Sequence, residues 1–273
     1  MQTPIHVAIP VYNNCAGVRT LLAQLLQQDF ASITILDDAS TDDLDEYLAT
    51  VPSVEYIRSE VNLGTVGANN LQLLSPHTDG YLLCIDSDMQ LVTEDIPQKI
   101  KDFVTNHPDV GAFVGRIEDT NGNRIRWNFN YDINPWRSIL AFLFYNLAIV
   151  TSYVPYVNQC TRRVSNLFTS HLADDVEQKV DWGIEGFFVV RNKLWQKLQG
   201  FDTSYKRFHE GPDLFLRLRK LGYSTWYTPT ISARDTNQAS HSSLYRAYHW
   251  WRSTIIYFIK HPSRLLLYYW PRP

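Results

Sequence analysis

Cysteine is scarce: Cys15, Cys84 and Cys160 are the only three in 273 residues, an odd number with no CxxC spacing. That argues against a disulfide framework or a zinc knuckle and reads as a reducing compartment. No charged side chain precedes Arg19 and no basic stretch opens the chain, so the start lacks the form of a secretory signal and reads as a first strand. There is no GxGxxG after the first apolar segment and no GxxxxGK followed by Ser or Thr, which leaves the usual dinucleotide and P-loop readings unsupported. No helix-turn-helix, zinc-finger or RNP-like string is present, and nucleic acid is not an expected partner. Internal repeats and low-complexity tracts are also missing.

What is there is ordinary globular composition, 45% hydrophobic and 19% charged with a formal net charge of −3. At about 100–200 residues per domain the length fits one large domain or two small ones, with core enough to need neither disulfide nor structural metal. The net charge conceals a division. Residues 1–190 carry 11 Lys+Arg against 24 Asp+Glu (−13), and residues 191–273 carry 14 against 4 (+10). A basic final third suggests an anionic partner, a diphosphate or an anionic lipid face.

Short apolar strands alternate with helical patterns through the first half, which predicts a parallel α/β sheet. Strands are expected at residues 5–9, 32–36, 54–58 and 81–85, with a further one at 187–190. A helix is expected over 17–28, with Val18, Leu21, Leu22, Leu25 and Leu26 on one face, and another over about 65–74. Polar residues gather where strands end, the edge at which open α/β sheets bind ligands.

The second half changes character. Residues 138–161 pass without a formal charge, long enough to reach across a bilayer core of about 20 residues. Asn146, Thr151, Ser152 and Pro155 favour a buried or interfacial segment, and a crossing would separate Asp86 and Asp88 from the acidic string near residue 210. Residues 244–270 combine nine Tyr, Trp or Phe with Arg246, Arg252, Lys260 and Arg264 and no acid. That composition suits a membrane interface, or equally a helix packed on its own domain or a second subunit.

Three strings carry chemistry. Asp37-Asp38-Ala39-Ser40-Thr41-Asp42 follows a strand; a carboxylate there can accept from a base imide or a ribose hydroxyl, though such strings more often cap a helix. Asp86-Ser87-Asp88 sets two hard oxygen donors at a spacing that can hold Mg²⁺ or Mn²⁺ against a diphosphate. In Asn62-Leu63-Gly64-Thr65-Val66-Gly67-Ala68-Asn69-Asn70, Gly64 permits a tight turn and Asn70 could reach back to a nucleotide pocket.

In this order the strings VAIPVYNN at 7–14, ILDDASTD at 35–42, NLGTVGANN at 62–70, LLCIDSDM at 82–89 and EGFFVVRNKLWQKLQGFDTSYKRFHEGPDLFLRLRKLGY at 185–223 resemble glycosyltransferase family 2, the inverting nucleotide-sugar transferases of the GT-A fold. Within it, the turn at 118–122 and Lys260-His261-Pro262 resemble the rhamnosyltransferase-like branch. The resemblance implies an α/β, Rossmann-like, mostly parallel sheet flanked by helices. It implies a catalytic domain at 1–230, with a nucleotide part at about 1–110 and an acceptor part at about 111–230, followed by a basic aromatic helical extension at 231–273. It places Pro10, Tyr12, Asn13, Asp38, Asn70 and Asp86 at the donor. Asp88 and Asp86 fall at a Mn²⁺ or Mg²⁺ ion, with Asp235 or His241 as a further ligand.

On the acceptor side the family's Glu-Asp-x-Asp-Leu appears as Glu210-Gly211-Pro212-Asp213-Leu214, with glycine at the second acid. Glu210 is the first candidate for the base that takes the acceptor hydroxyl proton, Asp213 the second and His209 the third; loss of the base is the remaining alternative. Arg217 is expected to neutralise Asp213 or face the diphosphate. Trp182 and Glu185 are expected at the acceptor pocket, Trp182 stacking on a sugar or packing in the core. The implied partners are a UDP-, dTDP- or GDP-linked sugar and a hydroxyl acceptor, including a lipid-linked glycan, in the cytoplasm or at the inner membrane face. A non-catalytic nucleotide-sugar or glycan-binding protein on the same scaffold is the alternative, and a nucleotidyltransferase a third.

Overall fold

The structure is a computed structural model that describes residues 3–125, 129–130, 143, 147, 156, 173, 175–236 and 243–266. Nine strands form one sheet in the order β3-β2-β1-β4-β10-β6-β11-β5, with β8 beside β11. They are β1 (Ile5–Val11), β2 (Ser32–Asp37), β3 (Glu55–Arg58), β4 (Tyr81–Ile85), β5 (Met89–Leu91), β6 (Val110–Glu118), β8 (Gln178–Lys179), β10 (Phe187–Arg191) and β11 (Ser224–Asp235). Six of them, β1, β2, β3, β4, β6 and β11, run one way, and β5, β8 and β10 oppose them. A two-stranded ribbon joins β7 (Phe129–Asn130) to β9 (Trp182–Gly183).

Strand side chains alternate between two cores. Ile5, Val7, Ile9 and Val11 of β1 share one with Ile33 and Ile35 of β2, Leu83 and Ile85 of β4, and helices α1 (Cys15–Leu25), α2 (Leu44–Leu48) and α4 (Ile96–Asn106). Ala8, Leu36, Leu82 and Cys84 face the other, with α3 (Gly64–Asn70), α5 (Asn192–Leu198) and α6 (Glu210–Lys220). The result is a mixed α/β, mostly parallel sheet between helical layers, as the sequence predicts. Helix α1 begins at Asn14, whose Oδ1 accepts the Gly17 N–H at 3.3 Å. It buries Val18, Leu21, Leu22 and Leu25, each side chain worth about 1.5–3 kcal/mol. Leu26, expected on that face, caps the helix instead and is 45% exposed.

After α6, β11 runs through residue 230, and α7 (Ser243–Lys260) and α8 (Ser263–Leu266) follow. No helix among the described residues is long and apolar enough to cross a membrane. Of the uncharged stretch 138–161, only Leu143, Leu147 and Tyr156 are described, and all three are exposed; the rest lies outside the described residues.

Candidate active site

Because β1, β2, β4 and β11 point the same way, Val11, Asp37, Ile85 and Asp235 end on one edge, and antiparallel β10 starts there after Glu185 and Gly186. Pro10 lies buried near the end of β1, and Tyr12 beyond it is 53% exposed. Asn13 adopts a left-handed φ of 50° that Asn tolerates better than most residues. Its Oδ1 accepts the Thr41 N–H at 2.7 Å, and its own N–H donates to Ser40 Oγ at 3.0 Å. Asp37, fully buried, accepts from Ser40 N and the Tyr56 hydroxyl and faces Arg58 at 3.0 Å.

Asp38, expected at the base, has both oxygens on backbone: Oδ1 accepts Leu63 N–H at 2.6 Å and Oδ2 accepts Gly64 N–H at 2.9 Å. Burial pushes this carboxyl up, and the two N–H groups oppose that shift. Gly64 turns the loop at φ +74°, a conformation open to glycine at no steric cost. Asp38 thus ties the 62–64 loop to the end of β2.

Asp86 follows β4 with its N–H donated to the Gly186 carbonyl at 3.0 Å. Asn14 Nδ2 donates to Ser87 Oγ at 3.1 Å, joining the first loop to the acidic string. The Asp88 carbonyl accepts from Thr236 N and Oγ1, and Asp235 lies opposite Met89 in the β5–β11 register. The Asp86 carboxyl is pushed up to about 8 by burial and by the negative fields of Asp88, Glu185 and Asp235. That of Asp88 is raised by burial and by Asp235. Crowded carboxylates are a hard-oxygen donor set that suits Mn²⁺ or Mg²⁺. Among the described residues no three His, Cys, Asp or Glu side chains stand at ligand spacing. His241 lies outside the described residues.

The other acids of this edge are Glu185 and Glu210. Phe208 and His209 both take left-handed backbone, φ 66° and 68°, immediately before Glu210 opens α6. Such φ values in non-glycine residues store strain that concentrates at functional sites. Glu210 is fully buried, and burial raises its carboxyl. Burial and the Glu210 carboxyl together hold Glu185 well above the usual range. Arg207 faces Asp86, Glu185 and Glu210 and favours their ionised forms. Burial lowers His209 to about 3, so it is neutral.

The structure therefore gathers Asp86, Asp88, Asp235, Glu185 and Glu210 and directs other candidates elsewhere. Asn70 spends both amide atoms on the backbone of Phe201, each at 2.8 Å. Asp213 is 1% exposed, with Oδ2 on Arg217 Nε at 2.6 Å and Oδ1 on His261 Nε2 at 2.8 Å. Arg217 completes its bonding on the Leu198 and Gly200 carbonyls, so of its two expected partners it holds Asp213. Trp182 lies partly buried against the second core, on β9. Sequence reasoning missed Arg207 and the pairing of His261 with Asp213; the Lys-His-Pro string was the one signal pointing at the latter.

Residues 6–163, more than half the chain, match glycosyl transferase family 2. An uncharacterised protein of Mycobacterium tuberculosis (strain CDC 1551 / Oshkosh), MT1568, is 30% identical over 132 residues, covering 46% of this chain and 40% of that protein. Among solved structures, GalNAc-T7 with UDP, GalNAc and Mn²⁺ aligns with 99% of this chain and 52% of its own at TM-score 0.61 and 13% identity. The mannosyltransferase PcManGT of Pyrobaculum calidifontis with GDP-Man and Mn²⁺ aligns at TM-score 0.55 and 16% identity, over 90% of this chain and 60% of its own. S. aureus TarS 1–349 with UDP does so at TM-score 0.55 and 14% identity, over 94% and 72%. This chain thus spans about half of GalNAc-T7 and less of the mycobacterial relative. At such identities the solved structures show the GT-A fold, and with its β1 loop, acidic strand ends and family match taken together, the chain belongs to glycosyl transferase family 2.

Proposed function

We propose that the chain is an inverting, divalent-metal-dependent glycosyltransferase that moves a hexosyl or deoxyhexosyl group from a UDP-, dTDP- or GDP-linked donor to a hydroxyl acceptor. Polysaccharide or glycolipid synthesis is the process it fits. The observation that carries this is the convergence of the Asn13 loop, Asp86, Asp88, Asp235, Glu185 and Glu210 on one sheet edge. Solved neighbours bound to UDP or GDP-Man with Mn²⁺ support the donor class.

On this reading the exposed Tyr12 ring offers an aromatic face to the base, and the Asn13–Thr41 bond fixes the loop that carries it. Asp88 and Asp86, with Asp235 beside them, would hold Mn²⁺ or Mg²⁺, which when bound supplies charge stabilisation to the departing diphosphate. Glu210 takes the proton of the acceptor hydroxyl as its oxygen attacks the anomeric carbon from the face opposite the diphosphate. Asp213, held by Arg217 and His261, keeps α6 in place rather than acting as base.

Calorimetric titration with UDP, dTDP and GDP, with and without Mn²⁺, tests the donor site on wild type and Asp88→Asn. Metal-dependent binding of one nucleotide, weakened at least tenfold by the substitution, is expected; no binding of any would sink the proposal. Donor binding without turnover in the wild type would mark a nucleotide-sugar-binding protein instead.

A further inference from the structure

Gly211, the second residue of α6, borders space that is already taken. A Cβ built on it would lie 2.9 Å from Glu185 Oε2 and 2.7 Å from the Gly183 carbonyl oxygen. Both are inside van der Waals contact, so any larger residue displaces Glu185 or the β9 backbone. The neighbouring Glu210 is fully buried, and among the described residues no lysine, arginine or hydroxyl donor bonds either of its oxygens. The side chain that meets its carboxyl is that of Glu185. Two carboxyls, one ahead of β10 and one opening α6, are thereby held against each other by the missing side chain between them.

We propose that Glu185 and Glu210 work as one hydrogen-bonded carboxyl pair sharing a single proton, with Glu185 the positioning partner that carries it and Glu210 the group that accepts the acceptor's proton. This rests on the reading of Glu210 as the base. Adjacent carboxylates in a buried site cannot both ionise, so one keeps its proton and donates it to the other. Arg207 is the cation that faces the pair, Asp86 is the further acid that feels Glu185, and His209 next to Glu210 is neutral. A pair with one proton carries one negative charge against one guanidinium. In the transfer step the acceptor O–H bond breaks and its proton joins Glu210. The oxygen's electron pair bonds to the anomeric carbon, and the carbon–oxygen bond to the diphosphate breaks with its electrons leaving on the diphosphate.

The test uses the full chain as wild type, Glu185→Gln, Glu185→Ala and Glu210→Gln, with Mn²⁺. Infrared spectra at neutral pH, taken as wild type minus Glu185→Gln, read the carbonyl stretch of the one protonated carboxylic acid that the substitution removes, and that band is expected in the difference. Release of nucleoside diphosphate from UDP-glucose, dTDP-rhamnose or GDP-mannose, with water as acceptor, is followed across about pH 5.5–9. In Glu185→Ala, Glu210 loses its donor, holds its proton more tightly, and the acidic limb moves up by about one pH unit, about tenfold in rate at limiting pH. In Glu185→Gln the amide N–H replaces the acid O–H, and the rate stays within about threefold of wild type. Nucleotide affinity is unchanged in all. The proposal is overturned if the difference between wild type and Glu185→Gln shows no acid band, if Glu185→Ala keeps the wild-type profile, or if Glu185→Gln is as impaired as Glu185→Ala. Turnover surviving in Glu210→Gln would instead sink the assignment of the base, a separate result.

Discussion

At position 211 a hydrogen atom in place of a methyl decides where a carboxyl can stand. Gly211→Ala meets the Gly183 carbonyl and Glu185 Oε2 inside contact distance, so it should cost about 1–3 kcal/mol, as overpacking does. Thermal denaturation should show the lowered Tm, and turnover should fall further than the folded fraction does; a variant as stable as wild type would mean that β9 yields freely. Two residues earlier, His209 is buried with its ring beside Trp250 and Tyr257 and its Nε2 at 3.3 Å from Thr254 Oγ1. Its folded pKa, about 3, lies below the ordinary 6.5, so the unfolded chain binds the proton first. Its contribution is therefore intact above pH 6.5 and is lost as pH falls from 6.5 towards 3, on the order of 4 kcal/mol by the lower end. A Tm series over this range should fall steeply for wild type and more gently for His209→Asn, which tolerates the left-handed backbone; parallel curves would exclude His209 as the acid-sensitive group.

Helix α7 is a clamp on the segment that presents Glu210. Arg252 Nη1 donates to the Ser204 carbonyl at 3.0 Å and Ser253 Oγ to the Arg207 carbonyl at 2.7 Å. Lys260 pairs with Asp202, and His261 beyond the helix end meets Asp213 at 2.8 Å. Burial opposes ionisation of Asp202, but Lys260 and Ser204 outweigh it and draw its carboxyl to about 2. His261→Leu leaves a buried oxygen of Asp213 without its donor and should cost about 1–3 kcal/mol, visible in urea unfolding, while nucleotide affinity holds. Loss of nucleotide binding at unchanged stability would contradict a purely structural clamp. Little of this was legible in sequence, because His261 and Asp213 are brought together by the path of β11 and α7, and no local period records that. Strands β1, β2, β4 and β10 were legible to within a residue or two, since their apolar runs are buried on both faces, and the edge strand β3 was legible from its alternation of half-buried and exposed residues. The short β5 carries no such run, and the β6–β11 pairing joins segments far apart in the chain, which no local pattern records. Acids at strand ends could be read from the same pattern, so Asp86 and Asp88 stood out. Asn70 pointed the wrong way because a helix position fixes a side chain's origin and not its partner. The meeting of Glu185 with Glu210 depends on a side chain that Gly211 lacks, visible only once the backbone is folded.

Over the whole molecule the charge division takes on a shape. The acids of the −13 region that end strands crowd the edge of the candidate site, while the +10 region contains α7. That helix turns Thr254, Tyr257 and Phe258 inward and leaves Tyr248, Ile255 and Ile259 outward at 64%, 56% and 73% exposure, with Arg252 among them and Lys260 next to Ile259. Residues 248, 252, 255 and 259 follow helical spacing, so they form one stripe. An apolar stripe flanked by cations is the composition of an interfacial helix, whose affinity adds apolar burial to attraction for anionic lipid. Co-sedimentation should accordingly occur with phosphatidylglycerol vesicles at low salt, weaken as salt screens the cations, and be slight with phosphatidylcholine. Replacing Ile255 and Ile259 together by Glu sets two acids on the stripe without touching the buried face of α7, so it should abolish sedimentation while leaving Tm and nucleotide binding near wild type. If the double variant sediments as well as wild type, or if neither does, the stripe is not a lipid contact, and a concentration-dependent mass in solution would then point to a second copy of the chain on the same face.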